Sequence, residues 1–96
     1  MDKEIEALAE QMQALNKQAY ETYKPEVEWL IKAQIKEEKA VQHLLDGLID
    51  FAHDAQILLL FKKLCRHYWT INPSATADYV NLYREMWDSE NEEKEL

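Results

Sequence analysis

The scarcity of turn-forming residues constrains this chain more than any other feature of its sequence. One glycine and two prolines occur among 96 residues. Sandwiches and barrels need many tight turns, and tight turns depend on glycine and proline. A chain of this length also supplies one domain and no more. The sequence therefore predicts an all-α fold, a three- to four-helix antiparallel bundle over residues 1–88, followed by a flexible acidic C-terminal tail over residues 89–96.

Apolar periodicity and the breakers between helices locate the first two helices. Residues 2–23 carry an amphipathic stripe, in which apolar side chains recur every three or four positions. Its members are Ile5, Leu8, Met12, Leu15 and Ala19. The stripe favours packing of this helix against the edge of the bundle, and a short self-associating seam is the alternative. Proline suits the first turn of a helix and not its interior, so Pro25 predicts the end of one helix and the start of the next. The second helix is expected to have an exposed, charged middle at residues 36–39 and to end at the only glycine, Gly47.

The second half of the chain predicts two further helices. The segment 49–69 is the most apolar part of the sequence, so we expect it to form the central, most buried helix. Asn72 and Pro73 follow it. Asparagine is a favoured N-cap and proline a favoured first helical residue, so this pair predicts the start of a last, aromatic helix over residues 73–88.

The charge balance excludes several classes of partner. The chain has 19 acidic against 11 basic residues, a net charge of −8. Generic nucleic-acid binding and binding to anionic membranes both require an excess of cations. No apolar run approaches the ~20 residues of a membrane span, and the first 20 residues lack the apolar segment of a signal peptide. We therefore expect a cytoplasmic protein without a cofactor, which binds neither nucleic acid nor membrane directly.

Positive charge is nevertheless concentrated in one segment. Residues 62–84 hold four bases against one acid, and the bases are Lys62, Lys63, Arg66 and Arg84. One interpretation is a binding site for an anion or an acidic partner, to which His67 would belong. The other is that these cations complement the dipole at the C-terminus of the third helix. The sequence favours neither.

Two patterns raise the question of catalysis. The residues His43, Asp46, Asp50 and His53 are spaced by three, four and three positions, so on one continuous helix they would share a face. Carboxylate-rich bundles bind metals with similar spacings. The simpler interpretation, a solvated polar face, is the one that we favour. Cys65 is the only cysteine, which excludes an intramolecular disulfide, and a helix interior suits a buried structural cysteine better than a nucleophile.

Two segments resemble a known group of proteins. Residues 60–69 (LFKKLCRHYW) and 79–87 (YVNLYREMW) look like small helical proteins carried on conjugative and other mobile elements of gut bacteria, and residues 8–12 and 23–25 fit the same group. The resemblance implies a genomic setting rather than a mechanism. Mobile elements, phages included, carry small acidic proteins that block host nucleases, such as anti-CRISPR and anti-restriction proteins.

These observations predict a non-enzymatic protein–protein interaction module. Its most specific form is a mobile-element inhibitor that docks acidic faces onto the basic groove of a defence nuclease. Tyrosine and tryptophan would anchor the contact, because eight of them exceed what so small a core can hide. The predicted partner-binding residues are Glu26, Glu28, Glu37, Glu38, Trp29, Tyr83 and Trp87. One alternative is a homo-oligomeric accessory protein built on the seam of Ile5, Leu8, Met12 and Leu15. The other is a metal-dependent helical enzyme.

Overall fold

The computed structural model describes residues 2–88, which form four helices. They are α1 (Asp2–Lys32), α2 (Glu38–Ile49), α3 (Ala55–Trp69) and α4 (Pro73–Trp87). No strand occurs within residues 2–88, so the all-α prediction is confirmed. The predicted acidic tail lies outside the described residues.

Helix α3 is the centre of the bundle, as predicted, and packs against each of the other three helices. Its buried side chains recur at spacings of three and one, which gives it a wide apolar face. They are Ile57, Leu60, Phe61, Leu64, Cys65 and Tyr68. By contrast, α4 buries only Thr76, so it lies on α3 as an outer layer.

The predicted helix break at Pro25 is wrong, because α1 is a single helix of 31 residues that includes this proline. An interior proline removes one backbone hydrogen bond and costs about 3 kcal/mol. Here the freed acceptor is the carbonyl of Glu21, and both residues are exposed, so water can solvate it. Beyond the proline, Val27 and Leu30 are buried in the core and hold the last turns of α1 in place.

The actual break follows at residues 33–37, next to the charged segment 36–39 that was predicted to be an exposed stretch of helix. Gln34 adopts a left-handed conformation with φ of 53°. The amide of Ile35 donates to the carbonyl of Leu30 at 3.1 Å, and the amide of Gln34 donates to that of Ile31 at 3.1 Å. This pair of bonds is a Schellman motif, which usually ends a helix at glycine. Because glutamine and not glycine occupies the left-handed position, the sequence carried no signal that α1 ends here.

The predicted break at Gly47 is also wrong, since this residue lies inside α2. A Cβ atom at Gly47 would overlap the hydroxyl of Tyr23 and lie 2.7 Å from its Cζ. The glycine therefore lets α1 and α2 approach closely and does not end a helix. The chain turns instead at residues 50–54, and Asp54 caps α3 by accepting from the amides of Gln56 and Ile57 at 3.1 and 3.2 Å.

The start of the last helix is confirmed. Asn72 is the N-cap, and its Oδ1 accepts from the amide of Ala75 at 3.0 Å. Pro73 occupies the first turn, where its missing amide hydrogen costs nothing. The observed end at Trp87 lies one residue from the predicted one.

Candidate interaction surfaces

Two of the predicted partner-binding glutamates, Glu26 and Glu28, lie on different sides of α1. Glu26 lies beside Trp29 and His43, whereas Glu28 lies on the other side of α1 beside Lys63. This follows from the helix, because residues two positions apart are about 200° apart around its axis. Glu37 occupies the N-cap position of α2 and is exposed, without a side-chain capping bond.

Glu38 belongs to a hydrogen-bond network between α2, α3 and the start of α4. Its Oε1 accepts from the hydroxyl of Tyr68 at 2.6 Å and from Nδ2 of Asn72 at 2.8 Å. Gln42 Nε2 donates to the same tyrosine oxygen at 2.7 Å. The hydrogen bond from Tyr68 has the largest effect on the pKa of Glu38 and lowers it. The hydrogen bond from Asn72 lowers it further. Burial and the bond to Glu38 raise the pKa of Tyr68. The sequence carries no signal for this network, because its members meet only through tertiary packing.

The predicted aromatic anchors have different environments. Trp29 is exposed and lines an apolar pocket of about 270 Å³ between α1 and α2. Tyr83 is half-buried, with its ring centroid 5.8 Å from that of Phe61. Trp87 links α4 to the C-terminal end of α2, since its Nε1 donates a hydrogen bond to the carbonyl of Ile49 at 2.8 Å. Of the three anchors, Trp29 offers the most surface to a partner.

The four residues considered as an alternative metal site do not share one helix face. Helix α2 ends at Ile49, so His53 lies in the following turn, where its ring packs 4.8 Å from that of Trp87. Asp46 accepts a 2.6 Å hydrogen bond from the hydroxyl of Tyr79. The pKa of Tyr79 is raised, mainly because the residue is partly buried and also because of this hydrogen bond. Within residues 2–88 no group of three or more His, Cys, Asp or Glu side chains is arranged to hold a metal ion. The shared face expected for His43, Asp46, Asp50 and His53 required one continuous helix, and α2 does not extend that far.

Cys65 is buried, as predicted. Burial raises the pKa of its thiol to about 11. The thiol is therefore protonated at neutral pH, whereas nucleophilic cysteines are thiolates.

The predicted basic cluster divides between two sides of α3. Lys62 and Arg66 are one helical turn apart and line a groove between α3 and α4, together with Arg84. The groove has a volume of about 440 Å³ and an apolar floor. The floor consists of Leu58, Phe61, Cys65, Val80 and Tyr83. We call this site the α3/α4 groove. Asp88 also lines it, so three cations and one acid surround the floor.

The other two members of the cluster, Lys63 and His67, do not line the α3/α4 groove. Lys63 lies on the far side of α3, beside Tyr20 and Glu28. His67 Nε2 donates to the carbonyl of Ile35 at 2.8 Å and thereby ties α3 to the link between α1 and α2. The spacing of four between Lys62 and Arg66 was visible in the sequence, but the contribution of Arg84 depends on how α4 packs.

The N-terminal part of α1 extends beyond the bundle. Every residue from Asp2 to Leu15 is exposed, and the first buried residue of the helix is Ala19. We call residues 2–15 the α1 arm. The four stripe residues of the arm are exposed, so the expected packing of the stripe against the bundle is wrong for all of its members except Ala19. The exposed fractions are 64% for Ile5, 59% for Leu8, 51% for Met12 and 57% for Leu15.

The α1 arm and the α3/α4 groove are two surfaces of the described residues at which apolar side chains lie beside charged ones. Among the helices of residues 2–88, none is both long enough and apolar enough to cross a membrane. No protein-family model, no curated protein and no solved structure matches this chain.

Proposed function

We propose that this chain is a homo-oligomeric protein–protein interaction module, and that the stripe of the α1 arm is its binding surface. The exposed stripe is the observation that carries the proposal. Four large apolar side chains follow one another at spacings of three and four, and nothing in residues 2–88 covers them. Contiguous exposed apolar surface of this kind is typical of interaction sites.

The energy available from the stripe sets the strength of the contact. Full burial of such a side chain contributes about 1.5–3 kcal/mol, and roughly half of each one is still exposed, so covering the stripe contributes about 3–6 kcal/mol per arm. Association costs roughly 4–15 kcal/mol in lost translational and rotational freedom. We therefore expect association that depends on protein concentration and needs contacts besides the stripe.

The experiment measures molecular mass by analytical ultracentrifugation over a range of protein concentrations. We expect the wild-type mass to rise above that of one chain, and the double variant Leu8→Glu with Leu15→Glu to remain a monomer. The matched control is Ala7→Glu with Ala14→Glu, which adds the same charge at the same spacing but off the stripe. Far-UV circular dichroism verifies that all variants stay helical. A wild-type chain that is monomeric throughout, or equal effects of the two pairs, would refute the proposal.

The docking of acidic faces onto a defence nuclease stays a prediction from the sequence. It requires several glutamates to act together. Glu26 and Glu28 lie on different sides of α1, and Glu38 is already bonded within the fold. For that reason we base the proposed function on the arm.

A further inference from the structure

The α1 arm combines its apolar stripe with negative charge. Residues 2–15 hold four acids and one base; the acids are Asp2, Glu4, Glu6 and Glu10. At 100° per residue, Asp2 and Glu4 lie at the two edges of the stripe, near Ile5 and Leu8. A surface that fits the first two turns of the arm must therefore be apolar at its centre and positively charged at its rim.

The α3/α4 groove has these two properties. Its floor is made of apolar and aromatic side chains, and the cations Lys62, Arg66 and Arg84 line it together with one acid, Asp88. It extends from Leu58 to Arg66 along α3, which is about 12 Å or two helical turns. It is a region of positive charge on a chain whose net charge is −8.

The arm does not occupy the groove of its own chain. Every arm residue is exposed, and the helix that bears the arm packs against α2 and α3. A groove that receives an arm must therefore belong to another molecule. The N-terminal segment of a second copy has the acidic and apolar character that the groove requires.

We propose that the α1 arm of one copy binds in the α3/α4 groove of the next copy. Ile5 and Leu8 lie on the apolar floor, and the carboxylates of Asp2 and Glu4 face the cations at the rim. The contact is head-to-tail, because two different surfaces meet, and it repeats from copy to copy. This inference rests on the proposed function, since it identifies the surface that the arm contacts.

Complementation between two variants tests the inference. The arm variant is Leu8→Glu with Leu15→Glu, and the groove variant is Arg66→Glu with Arg84→Glu. We expect each alone to be a monomer in the ultracentrifuge. Mixed together they should form a 1:1 dimer and nothing larger, because one molecule keeps an intact groove and the other an intact arm. The matched control, Lys36→Glu with Lys63→Glu, makes the same charge change outside the groove and should associate far more strongly than the groove variant.

Pairing of one arm with another arm gives the opposite results. The groove variant would then keep its self-association, and the mixture would contain no heterodimer. Those results overturn the inference and leave the proposed function intact, whereas a monomeric wild-type chain overturns both. Salt separates the two arrangements as well. Added salt weakens an acidic arm in a basic groove, but it strengthens the pairing of two acidic arms.

A charge swap guards against a groove variant that fails to fold. The variants Asp2→Lys with Glu4→Lys, and Arg66→Gln with Arg84→Gln, should each weaken association on the order of tenfold at low salt. Combining Asp2→Lys and Glu4→Lys with Arg66→Glu and Arg84→Glu restores opposite charges and should recover association. A combined variant that keeps its helical circular dichroism but associates no better than its parents would overturn the proposed pairing.

Discussion

The close contact between Gly47 and Tyr23 allows a test of how α1 and α2 pack. Alanine is favoured over glycine in a helix interior by about 1 kcal/mol, so Gly47→Ala would stabilise an unobstructed helix. Here the new Cβ would lie 2.7 Å from Cζ of the tyrosine ring, closer than such atoms approach, so the ring must shift. Overpacking costs about 1–3 kcal/mol. The two effects together predict a net loss of about 1 kcal/mol.

The companion variant Tyr23→Leu removes the obstruction. Leucine keeps apolar contact with the core but lacks the distal ring atoms that approach Gly47. In this background Gly47→Ala should stabilise the protein by up to about 1 kcal/mol, because only the helix propensity remains. We therefore expect the effect of Gly47→Ala on the free energy of unfolding to change sign between the two backgrounds. The difference between the two effects measures the coupling of the two positions.

Urea unfolding followed by circular dichroism measures the four free energies of unfolding. The arm variant Leu8→Glu with Leu15→Glu is the suitable host, since self-association would otherwise contribute to the measured stability. A loss of about 1 kcal/mol corresponds to roughly 4–8 °C in Tm for a domain of this size. Equal stabilisation by Gly47→Ala in both backgrounds would refute the argument, because the tyrosine would then impose no cost.

Two further predictions concern ionisable groups. The hydrogen bonds from Tyr68 and Asn72 hold the pKa of Glu38 below its usual value of 4.5, so the stability they provide is present above that pH and is lost as the pH falls through the lowered pKa. The difference in unfolding free energy between wild type and Glu38→Gln should therefore shrink in acid, and a difference independent of pH would contradict the network. Burial and a thiol pKa of about 11 predict that Cys65 reacts slowly with a disulfide reagent at neutral pH and quickly in denaturant. Fast reaction of the folded protein would show that the thiol is accessible.

The parts of the fold that were predictable are those whose causes are local. Asn72 and Pro73 define the start of α4 because the N-cap bond closes within three residues of the chain. The breaks between the earlier helices were missed because tertiary packing decides them. Val27 and Leu30 hold α1 together beyond its proline.

The turn after α1 and the α3/α4 groove also could not be predicted from the sequence, because tertiary packing decides them. A glutamine occupies a left-handed position that usually requires glycine, and Ile35 packs against the core beyond it. For the groove, the sequence supplied Lys62 and Arg66 as neighbours on one helix face. The addition of Arg84, and the separation of Lys63, depend on which side of α3 is covered by α4.

The continuity of α1 through Pro25 has a consequence for any assembly built with the arm. The arm and the core-packed turns of α1 are one helix of 31 residues, about 46 Å long. No flexible linker separates the α1 arm from the body that carries the α3/α4 groove. Each copy would therefore impose the same rotation and translation on the next, so that the fixed placement of α1 relative to the groove decides between a closed ring and an open helical fibre of fixed pitch.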